Sequence, residues 1–190
     1  MFQGDQDGDI AIEIDILVMG ERDPPYVFAW ATSVGPPQET FPKGDLSAYR
    51  QKFDSGIGDE LREYLGKKTT DPLDSYEYRS IVLAAMMMHV GAQIKQEHIQ
   101  RLREIVPKIL SREGFQWPIC DDGFRGPGKR QFLAALDYYQ SGTPRSFKQP
   151  SCHACGKVDA DIGRPLLRCG GCTIAHAWFC DKVCYIRILR

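Results

Sequence analysis

Cys152-His153-Ala154-Cys155, Cys169-Gly170-Gly171-Cys172 and Phe179-Cys180-Asp181-Lys182-Val183-Cys184 are the stretches on which the reading of this chain turns. They hold six of the seven cysteines in 190 residues, so the cysteines form a local device and do not reflect general composition. Thirteen residues separate the first pair from the second, and seven separate the second from the third. A two-residue spacing lets both thiolates of one tight knuckle reach a single tetrahedral ion, with Zn–S near ~2.3 Å. The three-residue spacing suits the first turn of a short helix, where residues i and i+4 share a face. Zinc accepts any mixture of sulfur and nitrogen and does no redox chemistry of its own, which makes it the expected metal.

A disulfide framework is the competing use of such cysteines, and it belongs to secreted modules. Met1-Phe2-Gln3-Gly4-Asp5 shows no basic segment followed by an apolar one, so no secretory signal is expected there. The expected location is intracellular, in nucleus or cytoplasm, where paired cysteines more often hold metal. His153, inside the first knuckle, reads as solvent-facing. His176 is a candidate ligand.

The order of the pairs, with an aromatic directly before Cys180-x3-Cys184, resembles the MYND-type zinc finger. That resemblance implies a cross-brace. Cys152, Cys155, Cys180 and Cys184 would form one four-thiolate site, and Cys169 and Cys172 would begin a second. The family closes its second site with a His and a Cys beyond the position of Cys184, where this sequence has only Tyr185 to Arg190. The second site is then short of two ligands: His176 could supply one beside Cys169 and Cys172, and water, another chain or nothing the other. The resemblance further implies a module that docks a partner protein through short proline-containing peptides. Trp178 and Phe179 would furnish an apolar contact patch, or Phe179 would instead pack between the sites. The Cys-x-His step of a RING finger is absent, and a PHD-like order would need one more Cys-x2-Cys pair.

Upstream, a composition of 43% hydrophobic and 26% charged residues is that of an ordinary globular chain. The expected organisation is a helical domain at 1–145, a linker at 146–151 and the incomplete finger at 152–190. Some 150 residues suffice to bury a real core. The net charge is −1, and residues 152–190 carry six Lys and Arg against three Asp and Glu. This is far from the strongly basic footprint of a dedicated nucleic-acid binder. Nucleic-acid binding through Lys157, Arg164, Arg168, Lys182, Arg187 and Arg190 therefore ranks below protein docking as an alternative.

Residues 5–18 present Asp5, Asp7 and Asp9 like the start of a calcium loop, but Ile10 and Ile16 stand where glycine and an acid are required. Alternating Ile10, Ile12, Ile14 and Ile16 would suit a strand. An aspartate cap with Ile10, Ile14, Leu17 and Val18 on one face favours a helix, the reading taken here. Residues 20–44 and 68–74 read as loop or turn from their proline and glycine. A helix is expected from an Asp54-Ser55 cap through Ile57, Leu61 and Leu65 to Gly66. The most apolar segment, Tyr78 to Val90, has about ten continuous apolar residues, short of the ~20 for a membrane span, and is expected as a buried core helix. Met86, Met87 and Met88 read as core filler. After Gly91 comes an amphipathic helix with Ile94, Ile99, Leu102, Ile105, Val106 and Ile109 inward and His98 on the polar side. Pro107 marks its kink or stop. Residues 111–130 read as a glycine- and proline-rich loop, and Lys129 to Tyr139 as a last helix.

The segments Glu77–Ala85, Gly91–Ile94 and Gly123–Leu136 are similar to regions ahead of the finger in uncharacterised MYND-finger proteins of filamentous fungi, and that similarity implies no activity. Gly123-x2-Gly126-x-Gly128-Lys129 has the wrong spacing for a phosphate loop, and Arg130 replaces its hydroxyl. No nucleophile elbow or His-Glu-x2-His motif occurs. An enzyme is therefore not expected, and a site in the helical domain is the remaining alternative class. The expected fold is mainly α, a helical domain followed by a small zinc-stabilised cross-brace finger.

Overall fold

The computed structural model describes residues 5–20, 46–67, 76–108, 118–121, 124–147, 149–170 and 177–189. The described chain is mainly helical, and its residues fall into two compact units. One is drawn from residues 2–110 and 140–145, the other from 111–139 and 146–190. The loop expected over 20–44, apart from Gly20, and the turn at 68–74 lie outside the described residues.

The first unit is built on α4 (Tyr76–Val90), whose residues 81–88 are all buried. An unbroken apolar run has no polar side to offer water, so a helix made from it must be covered all round. The cover comes from α1 (Asp5–Met19), α2 (Leu46–Lys52), α3 (Gly58–Lys67) and α5 (Gln96–Ile105). Residues 5–19 are indeed helical, and Ile10, Ile14 and Val18 are buried. Leu17 is not: it is exposed beside Ile16, because the buried stripe is narrower than the expected face. A partly buried ion pair, Arg79 to Glu13 at 3.3 Å, ties α4 to α1. The Lys52 ammonium donates to the Met19 carbonyl at 3.2 Å, satisfying an end carbonyl of α1.

The helix expected to start at Asp54-Ser55 starts earlier. α2 runs into a π-helical turn, Phe53–Ile57, in which Gly56 takes a φ of 112°, and α3 continues from Gly58. Asp54 is therefore no N-cap. Its carboxylate instead pairs with Arg50 and accepts the Gln93 backbone N–H at 2.6 Å. A serine and a glycine in sequence admit either a cap or a bulge, and packing chose the bulge. Along the α5 stripe, Ile94, Ile99, Leu102 and Val106 are buried, Ile105 is half-buried, and Ile109 lies outside the described residues. At Pro107 the helix tightens into a 3-10 turn, Val106–Lys108.

Gly91 ends α4 with a φ of 75°. Its carbonyl accepts the Gly142 N–H at 2.9 Å, and the Arg145 N–H donates to the Met88 carbonyl at 2.9 Å. A Cβ at Gly91 would sit 3.1 Å from the Pro144 nitrogen and 3.2 Å from the Gly142 and Thr143 carbonyl carbons. Gly91→Ala is expected to lower stability by about 1–3 kcal/mol, from the left-handed backbone and the crowding together. Urea denaturation measures it, and a midpoint equal to the parent's would contradict the close approach.

A cleft of about 410 Å³, open to solvent, lies beside the π turn and is lined in part by Phe53, Asp59, Arg62, Met87, Lys95 and His98. His98 is not on a free polar face. It is half-buried, with Nε2 3.4 Å from the Asp59 carboxylate. Burial and the Arg62 charge hold its pKa below the usual histidine value, against the pull of Asp59 and Glu97. Asp59 also meets the Lys95 ammonium at 2.7 Å, and that hydrogen bond holds its carboxyl below the ordinary range despite some burial. A folded state that disfavours His98 protonation binds fewer protons than the unfolded chain. Its stability contribution is thus present above pH ~6.5 and is lost as pH falls from there through the lower folded pKa. The Asp59 contribution goes later, below about pH 4. Amide protection in α4 and α5 should therefore weaken from pH 7 to 5.5, and weaken less in His98→Gln. A parent with flat protection over that interval would exclude it.

In the second unit, part of the stretch expected to be loop is an antiparallel hairpin. β1 (Pro118–Asp121) pairs with β2 (Phe124–Pro127) in the register Pro118 to Pro127 and Asp121 to Phe124. Two prolines and three glycines near the strands hide it from propensity. α6 (Gly128–Tyr138) follows, burying Gln131, Phe132, Ala134, Ala135 and Leu136. Phe147 is buried, stacked on Phe132 with ring centroids 6.2 Å apart. Beyond it come α7 (Asp159–Ile162), the short antiparallel pair β3 (Leu167–Arg168) and β4 (Trp178–Phe179), and α8 (Lys182–Leu189). No helix of the described residues is long and apolar enough to cross a membrane.

Candidate metal centre

Cys152 and Cys155 lie on a closed knuckle. The Gly156 N–H donates to the Cys152 carbonyl at 2.7 Å, and the Cys152 N–H donates to the Lys157 carbonyl at 2.7 Å. These two bonds curl the backbone so that both side chains leave on one side. Cys180 directly follows β4, and Cys184 sits in the first turn of α8. Asp181 caps that helix by accepting the Cys184 N–H at 2.8 Å, so an Asp-x2-Cys step both starts the helix and aims its thiol inward. Backbone hydrogen bonds, that from Cys184 foremost, hold the Asp181 carboxyl below its usual pKa.

The sulfur atoms of Cys152, Cys155, Cys180 and Cys184 all lie within 4.8 Å of one another. Tetrahedral ligation at ~2.3 Å sets neighbouring sulfurs about 3.8 Å apart, so small side-chain adjustments suffice to close the cluster on an ion. Cys155 and Cys180 stand at 3.3 Å. All four are free thiols, as is Cys169. The four cysteines can hold a metal ion. Four soft donors in a compact tetrad suit zinc among the common divalent metals and fit poorly with calcium or magnesium, which take oxygen.

Electrostatics agree with that donor set. Burial opposes ionisation of Cys152, but N–H groups of Cys155, Cys180 and Ala154 directed at its sulfur outweigh burial and lower its pKa. Burial and the neighbouring sulfurs push Cys184 up to about 12 and raise Cys180 as well. Four thiols this close cannot all ionise without a cation among them. Arg164 donates to the Cys180 carbonyl at 2.9 Å, and the Lys157 ammonium lies over the Tyr138 ring at 4.9 Å, adding positive charge around the cluster.

The surrounding core is thin. Its buried residues are Cys152, Leu166, Phe179, Cys180 and Cys184, with Trp178, Ile162 and Cys169 packed partly buried against them. Phe179 is 4% exposed, its ring edge-on to Tyr185 at 5.2 Å, so it faces this core. Trp178 is half-buried on β4. His153 is half-buried and not solvent-facing. Its N–H donates to the Trp178 carbonyl at 2.9 Å and its Nδ1 accepts the Trp178 N–H at 2.8 Å, so it behaves as a surrogate strand beside β4. Burial, with the nearby Arg130 charge, keeps its pKa below normal.

Cys169 extends the β3–β4 ladder by donating to the Ala177 carbonyl at 2.8 Å. Cys172 and His176 lie outside the described residues. Arg130, Gly156, Arg164 and Asp181 support the cluster without being legible as site residues. The glycine directly after a Cys-x2-Cys knuckle and the aspartate three residues before Cys184 were the available signals. No family model matches the chain, and neither does any curated protein or solved structure.

Proposed function

We propose that this protein holds a structural zinc ion on Cys152, Cys155, Cys180 and Cys184, and that the zinc-built surface docks a segment of a partner protein. The observation that carries the metal reading is the makeup of the core: three of its five buried residues are themselves ligand cysteines. So small a cluster cannot offset the conformational entropy of ordering some forty residues. Metal binding supplies the missing free energy, about 10–16 kcal/mol for structural zinc in small finger peptides. Four protein ligands leave no open coordination position, which suits a structural role over activation of water.

The docking reading rests on the MYND-like order of the cysteines and on the apolar surface around the centre. Trp178 is partly accessible, and Leu167 on β3 and Val183 and Ile186 on α8 are exposed. An apolar rim on a metal-held scaffold suits a short, proline-containing peptide that loses little entropy on binding. A second zinc on Cys169, Cys172, His176 and one further ligand would complete a cross-brace around the same surface.

A library of proline-containing peptides presented to the zinc-loaded full chain tests this reading. Binding is expected, with loss in the chelated protein and weakening by Trp178→Ala. Zinc stoichiometrically bound but no peptide retained would sink the docking reading alone. Retention of a DNA probe with a steep salt dependence would favour the nucleic-acid alternative instead.

A further inference from the structure

The first cysteine knuckle touches both ends of α6. At the start of the helix, the Arg130 guanidinium donates to the His153 carbonyl at 2.7 Å. Beside it, Gly156 packs so closely that a Cβ there would land on the Arg130 carbonyl group and the Gln131 nitrogen. At the far end, Lys157 sits over the Tyr138 ring. The strap leading into the knuckle covers the face between. The Gln131 side-chain amide donates to the Gln149 carbonyl at 3.3 Å, and Phe147 stacks on Phe132.

We propose that occupancy of the four-thiolate centre decides whether α6 is folded, so that metal availability switches this helix between order and disorder. The inference rests on the metal reading above. At eleven residues α6 is too short to persist in water by propensity, and its stability must come from what packs on it. His153, Gly156 and Lys157 all lie in the knuckle at 152–157 that carries Cys152 and Cys155. Without an ion between the sulfurs, that knuckle loses its anchor to Cys180 and Cys184, and both end contacts of α6 go with it. The finger is then not a detachable module: its cooperative unit reaches back at least to Gly128.

Hydrogen exchange on the full chain, zinc-loaded and after chelation, tests the switch. Amides of residues 131–138 are expected to lose protection together with those of 152–184, to regain it on adding zinc alone, and to leave α4 and α5 unchanged. Loss confined to 152–184, with α6 still protected, would overturn the coupling and leave the metal reading intact. A chain with no bound zinc and no response to chelator would remove both. Because coupling is reciprocal, Arg130→Ala, which touches no ligand, should also weaken zinc affinity about fivefold by chelator competition. An unchanged affinity would count against the switch.

Discussion

Cys184→Ala, purified under reducing conditions beside the parent, will carry one zinc fewer per chain. Cys184 contributes one of four sulfurs within 4.8 Å and is also among the five buried residues of the surrounding core. Its removal leaves three thiolates and opens the tetrad at the first turn of α8, where Asp181 had aimed the thiol. Structural zinc contributes about 10–16 kcal/mol in small fingers, so even partial loss of that free energy is comparable to the 5–15 kcal/mol by which whole domains are typically stable. The variant is expected to lose protection throughout residues 152–184 while α4 stays protected, since α4 has its own buried core. Metal analysis with exchange measurements decides it. A parent with one zinc leaves Cys169 and Cys172 without an ion of their own, and a parent with two means that they recruit His176 and a further ligand. Equal metal in parent and variant, or thiols found paired as disulfides, would sink the four-cysteine centre.

The second large effect is expected at a residue that binds nothing. Gly156 has a φ of 76°, a region that residues with a Cβ adopt only with strain. Its missing side chain is also the space occupied by the backbone of Arg130 and Gln131. Gly156→Ala therefore adds a conformational penalty of about 1 kcal/mol to an overpacking penalty of about 1–3 kcal/mol. Backbone cannot step aside as a flexible side chain can, so the upper part of the range, about 3–4 kcal/mol, is expected. Denaturant unfolding of the zinc-loaded variant, followed by tyrosine and tryptophan fluorescence, reads the loss. Gly163 is the internal control. It too has a positive φ, 65°, but nothing lies within 4 Å of its Cβ position, so its alanine variant should show only the smaller, conformational part. Equal losses at the two glycines would mean that the knuckle does not press on α6.

Much of the helical unit was legible because its elements are written in local chemistry. An apolar run from Ile81 to Met88 has to be covered, and a stripe through Ile99, Leu102 and Val106 has to face inward, whatever lies around them. The same logic found α1 but included Leu17, because periodicity marks a face and only the packed neighbours set its width. The π turn at Phe53–Ile57 and the β1–β2 hairpin escaped. Their residues admit several backbone paths, and the choice was made by contacts distant in sequence, such as Asp54 with the Gln93 N–H.

By itself, then, the sequence determined a predominantly helical chain with a metal-type cysteine framework at its end, since helix periodicity and ligand spacing are short-range properties. That Cys152 and Cys155 meet Cys180 and Cys184 was implied by family resemblance, and it is the fold that sets their sulfurs together across 25 to 32 positions of chain. Only the tertiary structure decided that Phe179 turns inward, that His153 serves as a strand partner, and that Gly156 lies against α6. Each of these depends on which surfaces exclude water together, and no local pattern encodes that.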